Sequence, residues 1–168
     1  TSGFAPQARI IHIDLDPSEI GKNIPVAVGL VGDAKDITAR LAESVALRDC
    51  QEWKAEIERF NRVRRETYRG EMAPETILEG IHEVTGGHCT VVSDVGQHQM
   101  WVAKLYPYNQ PNSHITSGGL GTMGFAVPAA MGVHFARPGR PVWAISGDGG
   151  FQMNMQEIAT MVQEGIPV

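Results

Sequence analysis

Apolar and polar positions along the chain follow two alternating rhythms, separated by a charged stretch. Residues 8–16, Ala-Arg-Ile-Ile-His-Ile-Asp-Leu-Asp, form a short apolar run ending in acids, which predicts a buried strand. Asp16-Pro17-Ser18-Glu19 predicts a turn leading into a short helix. Val26 to Val31 predicts a second strand, closed by Gly32-Asp33. From Asp36 to Val45 the period lengthens, placing Ile37, Leu41 and Val45 on one helical face. Strand alternating with helix is the pattern of a parallel α/β sheet. Residues 1–45 are therefore expected to be the C-terminal end of a domain that begins earlier.

Residues 46–72 are rich in charge, and Trp53, Ile57 and Phe60 fall at helical spacing. This stretch is expected to be a helical linker, with Arg62, Arg64 and Arg65 on a solvated face. A second alternation starts at Pro74, a residue suited to a first helical turn, and Ile77, Leu78 and Ile81 continue that helix. Cys89 to Ser93 predicts a strand, and Gln97 to Tyr106 a helix. Met123 to Ala136 predicts another helix, rich in small residues, with Pro128 near its start. Pro141 to Ser146 predicts a strand, Gly147-Asp148-Gly149-Gly150 a turn, and Phe151 to Gln163 a helix. That last helix has an apolar stripe of Phe151, Met155, Ile158, Ala159 and Val162. Residues 73–168 are expected to be the N-terminal part of a second α/β domain.

Composition narrows the class without naming a function. A chain of 168 residues, 42% hydrophobic and 20% charged, can bury a core. A net charge of -5 argues against nucleic-acid binding, which calls for a basic face. Two distant cysteines, Cys50 and Cys89, do not make a disulfide framework, and Cys89 is expected in the core. No apolar run reaches membrane-spanning length. The first residues lack the basic and apolar regions of a signal peptide, and there is no initiator Met. With Ile166-Pro167-Val168 reading as the start of a strand, a piece of a longer protein is expected, its compartment open.

Three stretches carry candidate chemistry. Gly147-Asp148-Gly149-Gly150 follows a strand and opens a helix, where ligands of open parallel sheets bind. Glycine admits close approach of a ligand, and a helix N-terminus favours phosphate oxygens. Asp148 adds one hard oxygen, which beside a diphosphate suits magnesium; a plain helix cap is the alternative. Asp94-Val95-Gly96-Gln97-His98-Gln99 lies at a second strand end, where Gln97 and His98, or the amides around them, could bind diphosphate oxygens; for His98 a satisfied surface or core residue is the alternative. Ser117 to Phe125 is a glycine-rich loop feeding a helix. It reads either as a flexible loop or as a wrap around a flat ligand with Met123 as a polarizable wedge.

Gly96-Gln97-His98-Gln99-Met100-Trp101, Gly119-Leu120-Gly121-Thr122-Met123-Gly124-Phe125 and Gly147-Asp148-Gly149, in this order, resemble the large catalytic subunit of acetolactate synthase (acetohydroxyacid synthase), a thiamine diphosphate enzyme family. Ile11 to Asp16, Glu19 to Asn23 and Gly32-Asp33 resemble the end of that family's central FAD-binding domain. Gly-Asp-Gly is shared across thiamine diphosphate enzymes; Gly-Gln-His-Gln-Met-Trp is more specific. The resemblance implies a thiamine diphosphate-binding fold, a parallel sheet with flanking helices, preceded by the end of a Rossmann-like domain. It implies thiamine diphosphate contacts at Val95, Gly96, Gln97, His98, Gly149 and Gly150. Gly121 would offer its carbonyl to the aminopyrimidine, and Met123 would keep the cofactor bent. Asp148 would bind Mg2+, and Asp14, Leu15, Asp33 and Ala34 would contact FAD, with turn capping as the alternative for the two acids. Gly150 stands where Ser is common in the family.

The implied reaction is decarboxylation of pyruvate and condensation with a second 2-keto acid, pyruvate or 2-ketobutyrate, in branched-chain amino acid biosynthesis. The activating Glu, the rest of the metal motif and the substrate-selecting residues belong to parts of the family absent from this sequence, so the isolated chain is expected to be inactive. A homodimer or tetramer and a regulatory small subunit are the partners implied, with no nucleic acid or membrane. Glyoxylate carboligase, sulfoacetaldehyde acetyltransferase, pyruvate oxidase or a non-catalytic nucleotide-binding module remain as alternatives.

Overall fold

The computed structural model describes residues 3–67, of which 63–67 by their backbone alone, and residues 72–168. The chain divides into two compact units, Thr1–Lys54 and Ala55–Val168.

The first unit pairs β1 (Ile11–Asp14) in parallel with β2 (Val28–Val31), Ile11 lying opposite Val28 and Asp14 opposite Val31. Between them Asp16 caps a 3-10 turn, Pro17–Glu19, by accepting a bond from the Ser18 amide. β2 leads through Gly32 into α1 (Ala34–Ser44). β1 is shorter than the apolar run that predicts it, because Asp14 already turns the chain by accepting from the Asp16 amide at 2.9 Å. Ile37 and Leu41 are half-buried, while Val45 caps the end of α1 and is exposed.

The unit boundary falls in the first turns of α2 (Gln51–Thr67). The helix forms where its spacing predicts, but Trp53, Ile57 and Phe60 stand exposed, with the Arg59 guanidinium 5.0 Å over the Phe60 ring. Arg62 is exposed as expected; the side chains of Arg64 and Arg65 lie outside the described residues.

The second unit is a parallel sheet with helices on both faces, the class that strand–helix alternation predicts. Its elements are α3 (Pro74–Thr85), β3 (Thr90–Ser93), α4 (Gln97–Leu105), β4 (His114–Thr116), α5 (Ala126–Ala136), β5 (Val142–Ile145), α6 (Asp148–Asn154) and α7 (Glu157–Gln163). The strand order is β4-β3-β5, all parallel, with Val92 between Ile115 and Ala144. β3 is buried at every position, as the central strand of a two-layered parallel sheet should be. Successive side chains point to opposite faces. Val91 accordingly packs with Leu78, Ile81, Cys89, Val102 and Tyr106 from the α3–α4 side. Val92 packs with Ala126, Ala130 and Val133 of α5 and Val142 of β5. The small residues of α5 let it lie close to the sheet.

α5 starts at Ala126 rather than at Met123, and two further elements differ from expectation. β4 is not visible as an apolar run, since only Ile115 in it is apolar. The helix expected over Phe151 to Gln163 starts earlier, at Asp148, and is broken at Met155–Gln156 into α6 and α7. Its expected stripe is not buried: Phe151, Met155, Ile158, Ala159 and Val162 are exposed, and Met161 packs instead against Val127 and Ile166.

Candidate cofactor site

In an open parallel sheet the crevice lies at the carboxyl ends of strands, where the order reverses. Here β3 has β4 on one side and β5 on the other, so the chain leaves neighbouring strand ends in opposite directions. Ser93 and Ile145 lie in register at those ends. The residues that follow them, together with the loop between β4 and α5, form one cluster.

The loop after β3 enters α4 through Gly96, whose φ of +146° disfavours any residue with a side chain. The loop after β5 enters α6 through Gly147. Neither helix start carries a side-chain cap. The His98 ring rests between the two glycines: a Cβ built on either Gly96 or Gly147 would lie 3.0 Å from its Cε1 and 3.2 Å from its Nδ1. Only backbone without side chains leaves this slot open. His98 Nε2 is buried and has no hydrogen-bond partner. A buried polar atom without a partner costs about 1–3 kcal/mol, so this nitrogen is set for a group the chain itself does not supply.

The glycine-rich loop lies over these strand ends. Gly121 has φ +66°, its amide donates to the Ser117 carbonyl at 3.1 Å, and a Cβ on it would sit 3.7 Å from Val95 Cγ1. Met123 lies in this turn, ahead of α5 rather than in its first turn as the sequence suggests. Its terminal methyl covers Gly149, where an added Cβ would lie 3.0 Å away. Thus Val95 meets Gly121, His98 meets Gly96 and Gly147, and Met123 meets Gly149. Gln97 and Asp148 are exposed at the first positions of α4 and α6.

Asp94 holds this cluster from beneath, and the sequence reading assigns it no role. It is fully buried. Oδ1 accepts from the Val95 amide at 2.8 Å and the Gly124 amide at 2.9 Å. Oδ2 accepts from the Ala126 amide at 3.0 Å and, more distantly, from Ser146 Oγ at 3.4 Å. A Cβ on Gly150 would fall 2.7 Å from Oδ1, so the start of α6 also abuts this carboxylate. Burial works against its charge, but the amides of Ala126, Val95 and Gly124 and the His98 ring outweigh burial and hold its carboxyl below the usual value. Asn154 adds a second tie, donating from Nδ2 to the Gly124 carbonyl. The available signal was positional: an acid directly after an apolar strand, ahead of glycine.

On the β4 side, Ser93 Oγ and His114 Nε2 are 2.9 Å apart, and burial lowers the His114 pKa. Tyr106 is pushed up to about 12 by burial and by the Cys89 thiol 2.9 Å from its hydroxyl. These groups line the core.

The cluster fits a diphosphate: bare backbone, two helix starts without caps, and one buried imidazole nitrogen seeking a partner. For a metal it offers one exposed carboxylate, Asp148, and among the described residues no group of three or more His, Cys, Asp or Glu is gathered to hold an ion. A single carboxylate beside phosphate oxygens is a donor set that magnesium accepts. In the first unit, Asp14 and Asp33 stand at the ends of paired strands, and both make turns. Asp14 accepts from the Asp16 amide at 2.9 Å, and Asp33 caps α1 by accepting from the Lys35 amide at 2.8 Å. Beside them Leu15 and Ala34 are exposed.

Residues 94–168 match the thiamine pyrophosphate enzyme C-terminal TPP binding domain, and residues 1–41 match the thiamine pyrophosphate enzyme central domain. The chain belongs to the thiamine pyrophosphate (thiamine diphosphate) enzymes. Within them it is similar to acetolactate synthases over nearly its whole length. It is 45% identical to the acetolactate synthase of Mycobacterium bovis over 175 aligned residues, covering 98% of this chain and 28% of that protein. It is 42% identical to the acetolactate synthase large subunit of Haemophilus influenzae, covering 98% of this chain and 30% of that protein. With the isozyme 3 large subunit of Escherichia coli it shares 38% identity, again over 98% of this chain and 30% of that protein. The chain thus spans under a third of the curated relatives it matches.

Proposed function

We propose that this chain is the diphosphate-binding part of an acetolactate synthase large subunit, together with the end of its FAD-binding domain. The parent enzyme would decarboxylate pyruvate and condense the two-carbon unit with a second 2-keto acid, pyruvate or 2-ketobutyrate. The cofactor half of this reading is carried by His98 Nε2, buried without a partner between the bare backbones of Gly96 and Gly147, and the acetolactate synthase half by the 38–45% identity to those enzymes.

When bound, thiamine diphosphate supplies the electron sink for decarboxylation and carbon–carbon bond formation. The chain's own residues bind and orient. Gly96, Gln97 and His98, with Val95 beside them, would hold diphosphate oxygens, and Gly149 and Gly150 would admit them at the start of α6. Asp148 would bind Mg2+. The Gly121 carbonyl would accept a hydrogen bond from the aminopyrimidine, and Met123 would pack against the cofactor and fix its conformation. Asp14 and Asp33, with Leu15 and Ala34 beside them, would contact FAD; Asp14 Oδ2 lies 3.9 Å from His12 Nε2, so that contact would be shared with the imidazole. The parent would assemble as a homodimer or tetramer and accept a regulatory small subunit.

The test uses the parent polypeptide at the length of its relatives, supplied with pyruvate, thiamine diphosphate, Mg2+ and FAD. Acetolactate should form, and Asp148→Ala should abolish it at ordinary Mg2+ concentrations. Pyruvate left unconsumed would move the assignment to a family member with another donor. Full activity in Asp148→Ala would remove Asp148 from the metal site.

A further inference from the structure

Three helices, α4, α5 and α6, begin at the same crevice, and they are not alike. The starts of α4 and α6 carry no side-chain cap. α5 has no cap from its own residue, Phe125, yet its first amide, that of Ala126, donates across the site to Asp94. Asp94 accepts from Gly124 and Ala126, some thirty residues away in sequence, while also holding the Val95 amide of its own loop. A carboxylate fully removed from water is tolerated where such donors replace the lost solvation. The turn it grips contains Gly121 and Met123, and Met123 is the residue whose methyl covers Gly149. One side chain therefore ties the β3 loop to the glycine-rich turn and abuts the start of α6.

We propose that Asp94 is a positioning residue of the cofactor site: its carboxylate closes the α5 start to anions and fixes the Gly121–Gly124 turn, so that Met123 and the Gly121 carbonyl are placed before any cofactor arrives. The inference rests on the thiamine diphosphate reading above for its ligand, but not for its structural half. Asp94→Asn keeps the shape and replaces one accepting oxygen with an NH2 that faces backbone donors.

The experiment measures amide hydrogen exchange by NMR and thiamine diphosphate affinity by calorimetry, on the parent protein with Mg2+, in wild type and Asp94→Asn. In the ligand-free wild type, the Gly124 and Ala126 amides should exchange slowly. In Asp94→Asn they should exchange at least tenfold faster, while Val91 and Val92 amides stay protected. The cofactor dissociation constant should rise at least tenfold, and kcat at saturating cofactor should fall, since a loose turn misplaces Met123 even when the site is full. Unchanged exchange at Gly124 and Ala126, or unchanged affinity in a folded variant, would overturn the proposal. Loss of protection throughout β3 would make Asp94 a general structural residue and equally overturn it. Should Asp94→Asn not fold, Asp94→Ser is measured in its place, and fast exchange of the two amides in wild type overturns the proposal with no variant at all. Wild type that binds no thiamine diphosphate would sink the functional reading, leaving the exchange data to decide whether Asp94 holds the turn.

Discussion

Replacing His98 by Ala separates what this residue does for folding from what it does for a ligand. In the ligand-free protein the substitution removes a ring that fills the slot between Gly96 and Gly147. It also removes a buried nitrogen with no partner, a liability of about 1–3 kcal/mol. The lost packing of a half-buried ring is of similar size and opposite sign, so ligand-free stability should change by less than about 1 kcal/mol. With diphosphate present the balance is different. A hydrogen bond to a charged group is worth about 1.5–3 kcal/mol, which corresponds to a dissociation constant weaker by about tenfold to a hundredfold or more. At a cofactor concentration near a hundred times the wild-type constant, wild type gains about 2.7 kcal/mol of stability. A variant weakened about thirtyfold would gain only about 0.9 kcal/mol at that concentration. The assay is thermal unfolding across a cofactor titration with Mg2+ fixed. Midpoints should coincide without cofactor and diverge as it is added. Affinity unchanged within twofold would refute the role given to Nε2. A large ligand-free loss would show that the ring is chiefly a packing element.

Val92→Ala should destabilise the second unit by about 2–3 kcal/mol, the loss of two buried methyl groups plus a residual cavity, read as a lower urea midpoint. Asp33→Ala should cost about 1 kcal/mol and speed exchange of the Lys35 amide; the same variant binding FAD as well as wild type would reduce Asp33 to a cap. Because the Asp94 carboxyl is held below its usual value, its contribution to stability is complete above about pH 4 and is lost as pH falls through its folded value. Urea midpoints followed downward from pH 6 should fall less steeply in Asp94→Asn than in wild type; parallel curves would contradict that sign.

Much of the architecture was written in local patterns. β3 and β5 are short apolar runs ending at glycine or acid, and such runs mark buried parallel strands whatever packs on them. β4 escaped because its place is set by its neighbours: it borders β3 through backbone pairing, and His114 and Thr116 are held by Ser93 rather than by apolar burial. The single helix expected over Phe151 to Gln163 followed its spacing correctly and still misjudged its partner. Asn154 donates to the Gly124 carbonyl, the helix breaks just beyond it, and Met161 rather than the stripe enters the core. The glycines of the site were legible because their chemistry is local. Asp94 was not, since its value lies in amides distant along the chain that only the folded sheet brings near.

The pairing that creates the site also dictates when it exists. β3 meets β4 across a modest stretch of chain, Val91 beside His114, but meets β5 much later in sequence, Thr90 beside Val142. Closing the longer loop costs more chain entropy, and contacts of high sequence separation are slow to form. The Gly147 wall of the His98 slot comes with β5. A chain that has zipped only β3 and β4 therefore holds half a slot and no phosphate site. Cofactor added during refolding should leave the early collapse untouched and act only on the last phase, as a reporter that the final strand has docked.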